Sequence, residues 1–358
     1  MNRLLPKVGV IADDLTGGGD VGIQFADRGL DVVLSTDIAG IENSPDNAHV
    51  WVINTDSRAI DGKTAASRVK KALDSLKKWG ADYFYKKIDS TLRGNIGVEL
   101  DAALEGSGTE TIFLCAAFPE MGRVTKDAVH YVNGIEVSES SYGRDIKMPV
   151  SESNIEKLLA GEMREPGKVK VFDAETDSDI ENIAERQGTD FYAGAAALAG
   201  KLAGCWFKKE LLPPFVNNSF GPVLAVTGSL NPVSLEQTAY WKESGYTVLE
   251  PGKEEDCDTG QDALITTGSL KNERALERVC RRAAGLWKTK RWKNIILNGG
   301  DTADSVMDEA GIKELKVVRS VLPGIAVTEN NNRYLVLKPG GYGKKDTLVK
   351  LAQVFNGQ

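Results

Sequence analysis

The chain has 358 residues, 41% of them hydrophobic and 27% charged, with a formal net charge of −7. That is the composition of a globular protein with room for about two hydrophobic cores. The acidic balance argues against a basic nucleic-acid surface and leaves any anionic substrate to a local basic cluster, while two histidines are too few for a three-histidine zinc site or an HExxH metalloprotease.

Residues 7–12 (KVGVIA) form a short apolar run closed by polar turn residues, the pattern of a buried parallel strand. A helical segment is expected at 23–28, a second strand at 30–35 (LDVVLS) and a third at 49–54 (HVWVIN). Over 64–79 the apolar positions Ala65, Val69, Leu73, Leu76 and Trp79 fall at three- and four-residue spacing, which predicts an amphipathic helix. Strands at 83–88 and 111–116 continue the alternation. Residues 206–222 (WFKKELLPPFVNNSFGP) change texture, with three prolines and adjacent asparagines, and read as a linker. Beyond it, strands are expected at 223–227, 263–266 and 294–297, a helix at 276–286, and a hairpin-like piece at 334–338. The pattern specifies two α/β domains with largely parallel sheets, residues 1–210 and 211–358.

No stretch approaches the ~18 apolar residues of a membrane span. The run after Arg3 and Lys7 stops at Asp13, too short for a signal-peptide core, so a cytoplasmic protein is expected. Cys115, Cys205, Cys257 and Cys280 make no CxxC pair, and inert thiols are expected.

Polar clusters follow the strands repeatedly, where ligands sit in open α/β sheets. The first is Asp13-Asp14-Leu15-Thr16-Gly17-Gly18-Gly19-Asp20. Gly17, Gly19 and Gly22 satisfy GxGxxG, with Asp37 further on, in outline a dinucleotide fingerprint. Two carboxylates between the strand and the glycines would repel a pyrophosphate, which argues against a nicotinamide-dependent dehydrogenase. Such a pair suits a general base or an acceptor for substrate hydroxyls, although Asp14 could equally cap the next helix. Lys87-Ile88-Asp89-Ser90-Thr91-Leu92-Arg93-Gly94-Asn95 is the densest cluster, with cations for a carboxylate and acceptors for hydroxyls. A helix cap at Ser90 or Thr91 is the plainer alternative, and it leaves most of the cluster unexplained. In the second half, Gly299-Gly300-Asp301-Thr302 between a strand and a helix would let phosphate oxygens approach backbone N–H groups. Lys338-Pro339-Gly340-Gly341-Tyr342-Gly343 adds a second glycine-rich turn. His130 reads as a satisfied structural residue, and no GxSxG supports a serine hydrolase.

In this order, together with Phe118-Pro119, Arg123 and Thr227-Gly228-Ser229, these segments resemble the four-carbon acid sugar kinase family along nearly the whole chain. The resemblance implies ATP-dependent phosphorylation of the terminal hydroxyl of a sugar acid such as threonate, erythronate or an oxo-tetronate. It implies an N-terminal domain for the acid and a C-terminal one for ATP, with the active site in the cleft between them. Asp13, Arg58, Lys87, Asp89 and Ser90 would contact the acid, with Thr91 and Arg93 beside them. Ser229, Gly299, Gly300, Asp301, Thr302, Gly341 and Gly343 would contact ATP. Arg58 and Lys87 are expected to grip the substrate carboxylate, and Asp13 or Asp89 to serve as base. Asp301 is expected to order Mg²⁺, directly or through water. A nicotinamide-dependent dehydrogenase and a non-catalytic ligand sensor remain as rivals. No nucleic-acid or membrane partner is expected, and a homodimer is left open.

Overall fold

The computed structural model describes residues 5–38, 47–145, 148–217, 220–249, 261–268, 273–290 and 292–357. Cys257 lies outside them. The chain divides into two units, Met1–Leu212 and Pro213–Gln358.

In the first unit, β1 (Val8–Ala12), β2 (Val32–Ser35), β3 (Val50–Asn54), β4 (Tyr83–Lys87) and β5 (Ile112–Cys115) join β9 (Val169–Val171) and β10 (Phe191–Gly194). Together they make a parallel sheet of order β2-β3-β1-β4-β10-β5-β9. Every residue of β1 and β3 is buried, as expected where helices cover both faces. Helix α6 (Ala196–Phe207) packs against both α1 (Leu15–Ala26) and α5 (Asp177–Ala184), and α3 (Ile96–Ser107) against both α2 (Gly62–Trp79) and α4 (Ile155–Glu162). Helix α2 follows its sequence pattern: Asp61 caps it through Thr64 N–H, and Ala65, Val69, Ala72, Leu73 and Leu76 are buried. A small antiparallel sheet, β6 (Arg123–Lys126), β7 (Val129–Val132) and β8 (Ile135–Glu136), is inserted after β5.

In the second unit, β11 (Val223–Thr227), β12 (Thr247–Leu249), β13 (Ala263–Thr266) and β14 (Asn294–Asn298) are parallel. They continue into β17 (Arg333–Lys338), which pairs parallel to β14 and antiparallel to β16 (Ile325–Asn330), itself paired with β15 (Glu314–Leu322). Helices α7 (Pro232–Glu243), α8 (Glu273–Lys288), α9 (Gly300–Ala310) and α10 (Thr347–Asn356) complete it.

Three expectations are corrected. The helix read at 23–28 begins at Leu15, so Gly17, Gly19 and Gly22 lie inside α1. Gly18 between them allows close packing: a Cβ there would stand 2.9 Å from Leu34 Cδ1 and 3.2 Å from Val52 Cγ1. Residues 334–338 belong to an inner strand, because β17 joins the parallel strands to the antiparallel hairpin. The segment read as a linker from residue 206 starts later, since Trp206 and Phe207 end α6 and the Trp206 ring stacks on Tyr83 at 4.5 Å.

Candidate active site

The first-unit site is built where β1, β3 and β4 end. Asp13 follows β1, and its carbonyl accepts from the N–H groups of Ser57 and Arg58 (3.0 and 3.2 Å), so the loop after β3 hangs from the residue after β1. That places Arg58 over the carboxylates. Its Nε is 2.7 Å from Asp13 Oδ2, and its Nη2 is 2.9 Å from Asp13 Oδ1 and 2.6 Å from Asp14 Oδ1. Nη1 stands 3.9 Å from Asp89 Oδ1. Asp14 also caps α1, accepting from Gly17 N–H at 3.0 Å and from the Thr16 hydroxyl at 2.6 Å. The two roles weighed for the aspartate pair are therefore divided: Asp14 holds the helix, and Asp13 is held toward Arg58.

Alternation along β4 separates its two lysines. Lys86 is buried against Glu99 of α3, with Nζ 2.7 Å from Oε2 and 2.8 Å from the Lys87 carbonyl. Lys87 lies on the opposite side, toward α1: a Cβ on Gly17 would stand 3.4 Å from its Nζ. The Lys87 ammonium donates to the Ile88 carbonyl at 2.5 Å. Past β4, Asp89 organises the loop, accepting from Thr91 Oγ1, from Arg93 Nε at 2.7 Å and from Arg93 Nη2 at 3.2 Å. Arg93 also reaches Asp145 at 3.4 Å and lies 5.3 Å from the Tyr142 ring. Gly94 permits the turn with φ +105°, close under Arg58, and Asn95 Nδ2 donates to the Ser57 and Ile60 carbonyls, both at 2.9 Å.

The electrostatics follow from burial among opposite charges. Burial pushes the Asp13 carboxyl up, but the charges of Arg58, Lys86 and Lys87 outweigh it and hold the group below its ordinary 3.8. Asp89 behaves the same way more strongly, burial being overcome by Arg93 and Arg58. Burial disfavours the Arg58 cation, yet Asp13, Asp14 and Asp89 raise its pKa well above the ordinary value. Asp13 and Asp89 are thus fixed as carboxylates at neutral pH, each with lone pairs beyond those given to arginine.

The structure brings Asp13, Arg58, Lys87, Asp89, Ser90, Thr91 and Arg93 to one place. Sequence reading missed the Glu99 partner of Lys86, and Asp145 and Tyr142 beside Arg93, because each arrives from a distant element. Glu99 left a trace as an acidic residue in the first turn of α3.

The second-unit loops converge after β11, β14 and β17. Helix α9 starts at Gly300 with Gly299 (φ +109°) as its N-cap and no side-chain cap, so no capping side chain takes its first N–H groups. Thr302 Oγ1 accepts from Gly228 N–H at 3.0 Å, tying two of the loops. A Cβ on Gly299 would stand 3.1 Å from Ser229 Cβ, and one on Gly340 would stand 2.5 Å from Ser229 Oγ. Ser234 Oγ donates to the Gly340 carbonyl at 2.8 Å, and Gln237 Nε2 to those of Tyr342 and Lys344. Gly341 faces Asn231, and Gly343, at φ +87°, packs on Thr347. Asp301 lies in the first turn of α9. Lys338 is buried beneath the loops: its Nζ donates to Asn298 Oδ1 at 2.9 Å, Asn298 Nδ2 donates to Thr227 Oγ1 at 3.1 Å, and burial lowers the lysine to about 7.

Fold and side chains define a two-unit α/β protein. One unit carries charged and hydroxyl groups suited to a small hydroxylated anion, and the other a bare helix N-terminus among glycines, suited to phosphate. Residues 8–171 match the family model of a sugar-binding N-terminal domain, and residues 246–348 that of a nucleotide-binding C-terminal domain. The chain is 29% identical to a D-threonate kinase of Bordetella bronchiseptica over 98% of each chain. It is 25% identical to a 3-oxo-tetronate kinase of Pseudomonas savastanoi pv. phaseolicola over 100% of this chain and 99% of that one. A crystal structure of a Haemophilus influenzae protein shares the fold, with TM-score 0.75 and 20% identity over 98% of this chain and 99% of the other. The chain belongs to the four-carbon acid sugar kinase family, and it is a kinase.

Proposed function

We propose that this kinase transfers the terminal phosphoryl group of ATP to the terminal hydroxyl of a four-carbon sugar acid of the threonate or erythronate type. The observation that carries the reading is the first-unit network, where two buried carboxylates and three cations surround unspent donors and acceptors. Lys87 Nζ has donors beyond the one given to Ile88, and Arg58 Nη1 makes no hydrogen bond among the described residues. These two groups bind the substrate carboxylate. Asp13 and Asp89 accept from its hydroxyls, and Ser90 and Thr91 add hydroxyl contacts. Asp13 is the group assigned to the attacking hydroxyl, with Asp89 as the alternative. A carboxylate held below its ordinary pKa is a weak base, which is enough here because phosphoryl transfer through a loose transition state makes a late and small demand for proton removal.

Ser229, Gly299, Gly300, Thr302, Gly341 and Gly343 would hold the nucleotide, with the α9 N–H groups receiving phosphate oxygens. No three His, Cys, Asp or Glu side chains among the described residues are grouped to hold a metal ion. Asp301, in the first turn of α9 beside the N–H groups that would receive phosphate, is the residue assigned to a Mg²⁺ carried on phosphates and touched by few carboxylates. When bound, the ion supplies neutralisation of the charge on the transferred group.

The test is coupled ADP release with MgATP and a panel of D-threonate, the erythronates and the 3-oxo-tetronates. We expect turnover on at least one acid. Turnover on none of them would sink the reading, and preference for a 3-oxo acid would move the assignment within the family.

A further inference from the structure

The β6–β8 sheet lies outside the network assigned to the acid, yet it reaches the Ser90 loop through His130. His130 on β7 is fully buried and both ring nitrogens are engaged: Nε2 lies 3.0 Å from the Ser90 carbonyl oxygen and Nδ1 3.0 Å from Thr125 Oγ1. A carbonyl oxygen only accepts, so Nε2 carries the proton and Nδ1 accepts from the Thr125 hydroxyl. Burial lowers the ring to about 4, which keeps it neutral and holds this tautomer at neutral pH. The histidine is itself anchored, since its N–H donates to the Ser153 carbonyl at 2.8 Å and its carbonyl accepts from Val137 N–H at 3.0 Å. Asp89 ties down the side chains of Thr91 and Arg93, but the Ser90 hydroxyl bonds to no protein group among the described residues.

We propose that His130 is a positioning residue for the acceptor: it clamps the Ser90 peptide to the inserted sheet and thereby presents the Ser90 hydroxyl to the sugar acid. The inference rests on the reading above, in which Ser90 contacts that acid. Sequence alone reads His130 only as a satisfied structural residue, because a lone histidine carries no sign of which loop it touches.

Steady-state kinetics of His130→Leu, His130→Gln and Ser90→Ala, with the Ser90→Ala/His130→Leu double variant, test it on an acid the wild type turns over. We expect His130→Leu to raise the KM for the acid about tenfold, the scale of one lost hydrogen bond, and to leave the KM for ATP within about twofold. His130→Gln, whose amide can donate to the same carbonyl, should recover most of the loss. In the Ser90→Ala background, His130→Leu should cost less than about twofold, because the hydroxyl it positions is gone. Fully additive losses, or an equal rise in the KM for ATP, would overturn the proposal. If His130→Leu does not fold, Thr125→Val replaces it: loss of the donor to Nδ1 must raise the KM for the acid in the same selective way, and an unchanged KM in the folded variant would also overturn it. Calorimetric titration of the acid without nucleotide separates this inference from the kinase reading. Binding weakened by His130→Leu in a chain that releases no ADP supports the clamp and removes the reaction. Equal binding by wild type and variant removes the clamp alone, and a wild type that binds no acid overturns both.

Discussion

Asp13 takes two hydrogen bonds from the guanidinium of Arg58, 45 residues away. Its place was legible, since a carboxylate after a buried strand is where an α/β sheet puts ligand contacts. Its partner was not, because nothing local couples residues that far apart; the Asp13 carbonyl, through its bonds to Ser57 and Arg58, makes the connection. Arg58 holds Asp13 and Asp14 with two of its nitrogens, and in the proposed reaction the third is the one that meets the substrate carboxylate. We predict that Asp13→Asn lowers kcat in the ADP-release assay by about a hundredfold or more, while far-ultraviolet circular dichroism stays that of the wild type. Near-normal turnover would remove Asp13 from the mechanism. Lys86 illustrates the limit of reading residues in a row: beside Lys87 it looks like half of a basic cluster, yet the strand pleat sends it to Glu99 on the other face.

Among the elements, α1 shows how a motif can be matched without its geometry. Gly17, Gly19 and Gly22 fit a dinucleotide fingerprint as letters, but Asp14 caps the helix before them, and Gly18 among them lets α1 pack closely on Leu34 of β2 and Val52 of β3. A glycine that backbone geometry does require is Gly194, at the end of β10. Its φ is +157°, and a Cβ there would collide with the Cys115 carbonyl and stand 3.1 Å from the Tyr85 hydroxyl, which itself donates to the Ala195 carbonyl. Because Ile88 N–H donates to the Gly194 carbonyl at 3.1 Å, any shift would pass to the loop that carries Asp89 and Ser90. We expect Gly194→Ala to cost about 2–4 kcal/mol in urea unfolding, from backbone strain and backbone contact together. A loss below about 0.5 kcal/mol would show that the strand end yields. In the second unit, the alternation of strand and helix was legible. The inner place of β17 was not, since a short apolar run is the same in a hairpin and in the middle of a sheet.

For the molecule as a whole, buried charge sets the response to acid. His130, ordinarily near 6.5, is lowered to about 4 by burial, so between these values the unfolded chain binds the extra proton and stability falls as the pH drops through that window. Asp13 and Asp89 act below it: their folded pKa values lie under 3.8, so their contribution is intact above that pH and is lost as the pH falls through the folded values. The melting temperature should therefore decline in two stages. His130→Gln should abolish the first, below about pH 6.5, and leave the second. A wild-type melting temperature that is flat down to about pH 4 would contradict the burial of His130 as a neutral ring.

By itself the sequence determined the α/β class, most of the parallel strands and the set of residues from which a candidate site could be drawn, because hydrophobic period and strand-end chemistry are local properties. The family resemblance was legible for the same reason, being carried by short contiguous segments. Only the tertiary structure decided which charges pair, which of two adjacent lysines and two adjacent aspartates faces the site, and that an inserted sheet reaches the Ser90 loop through His130. Those outcomes depend on strand order, on the pleat of β4 and on burial, which sets protonation by the charges that distant elements bring within a few ångströms.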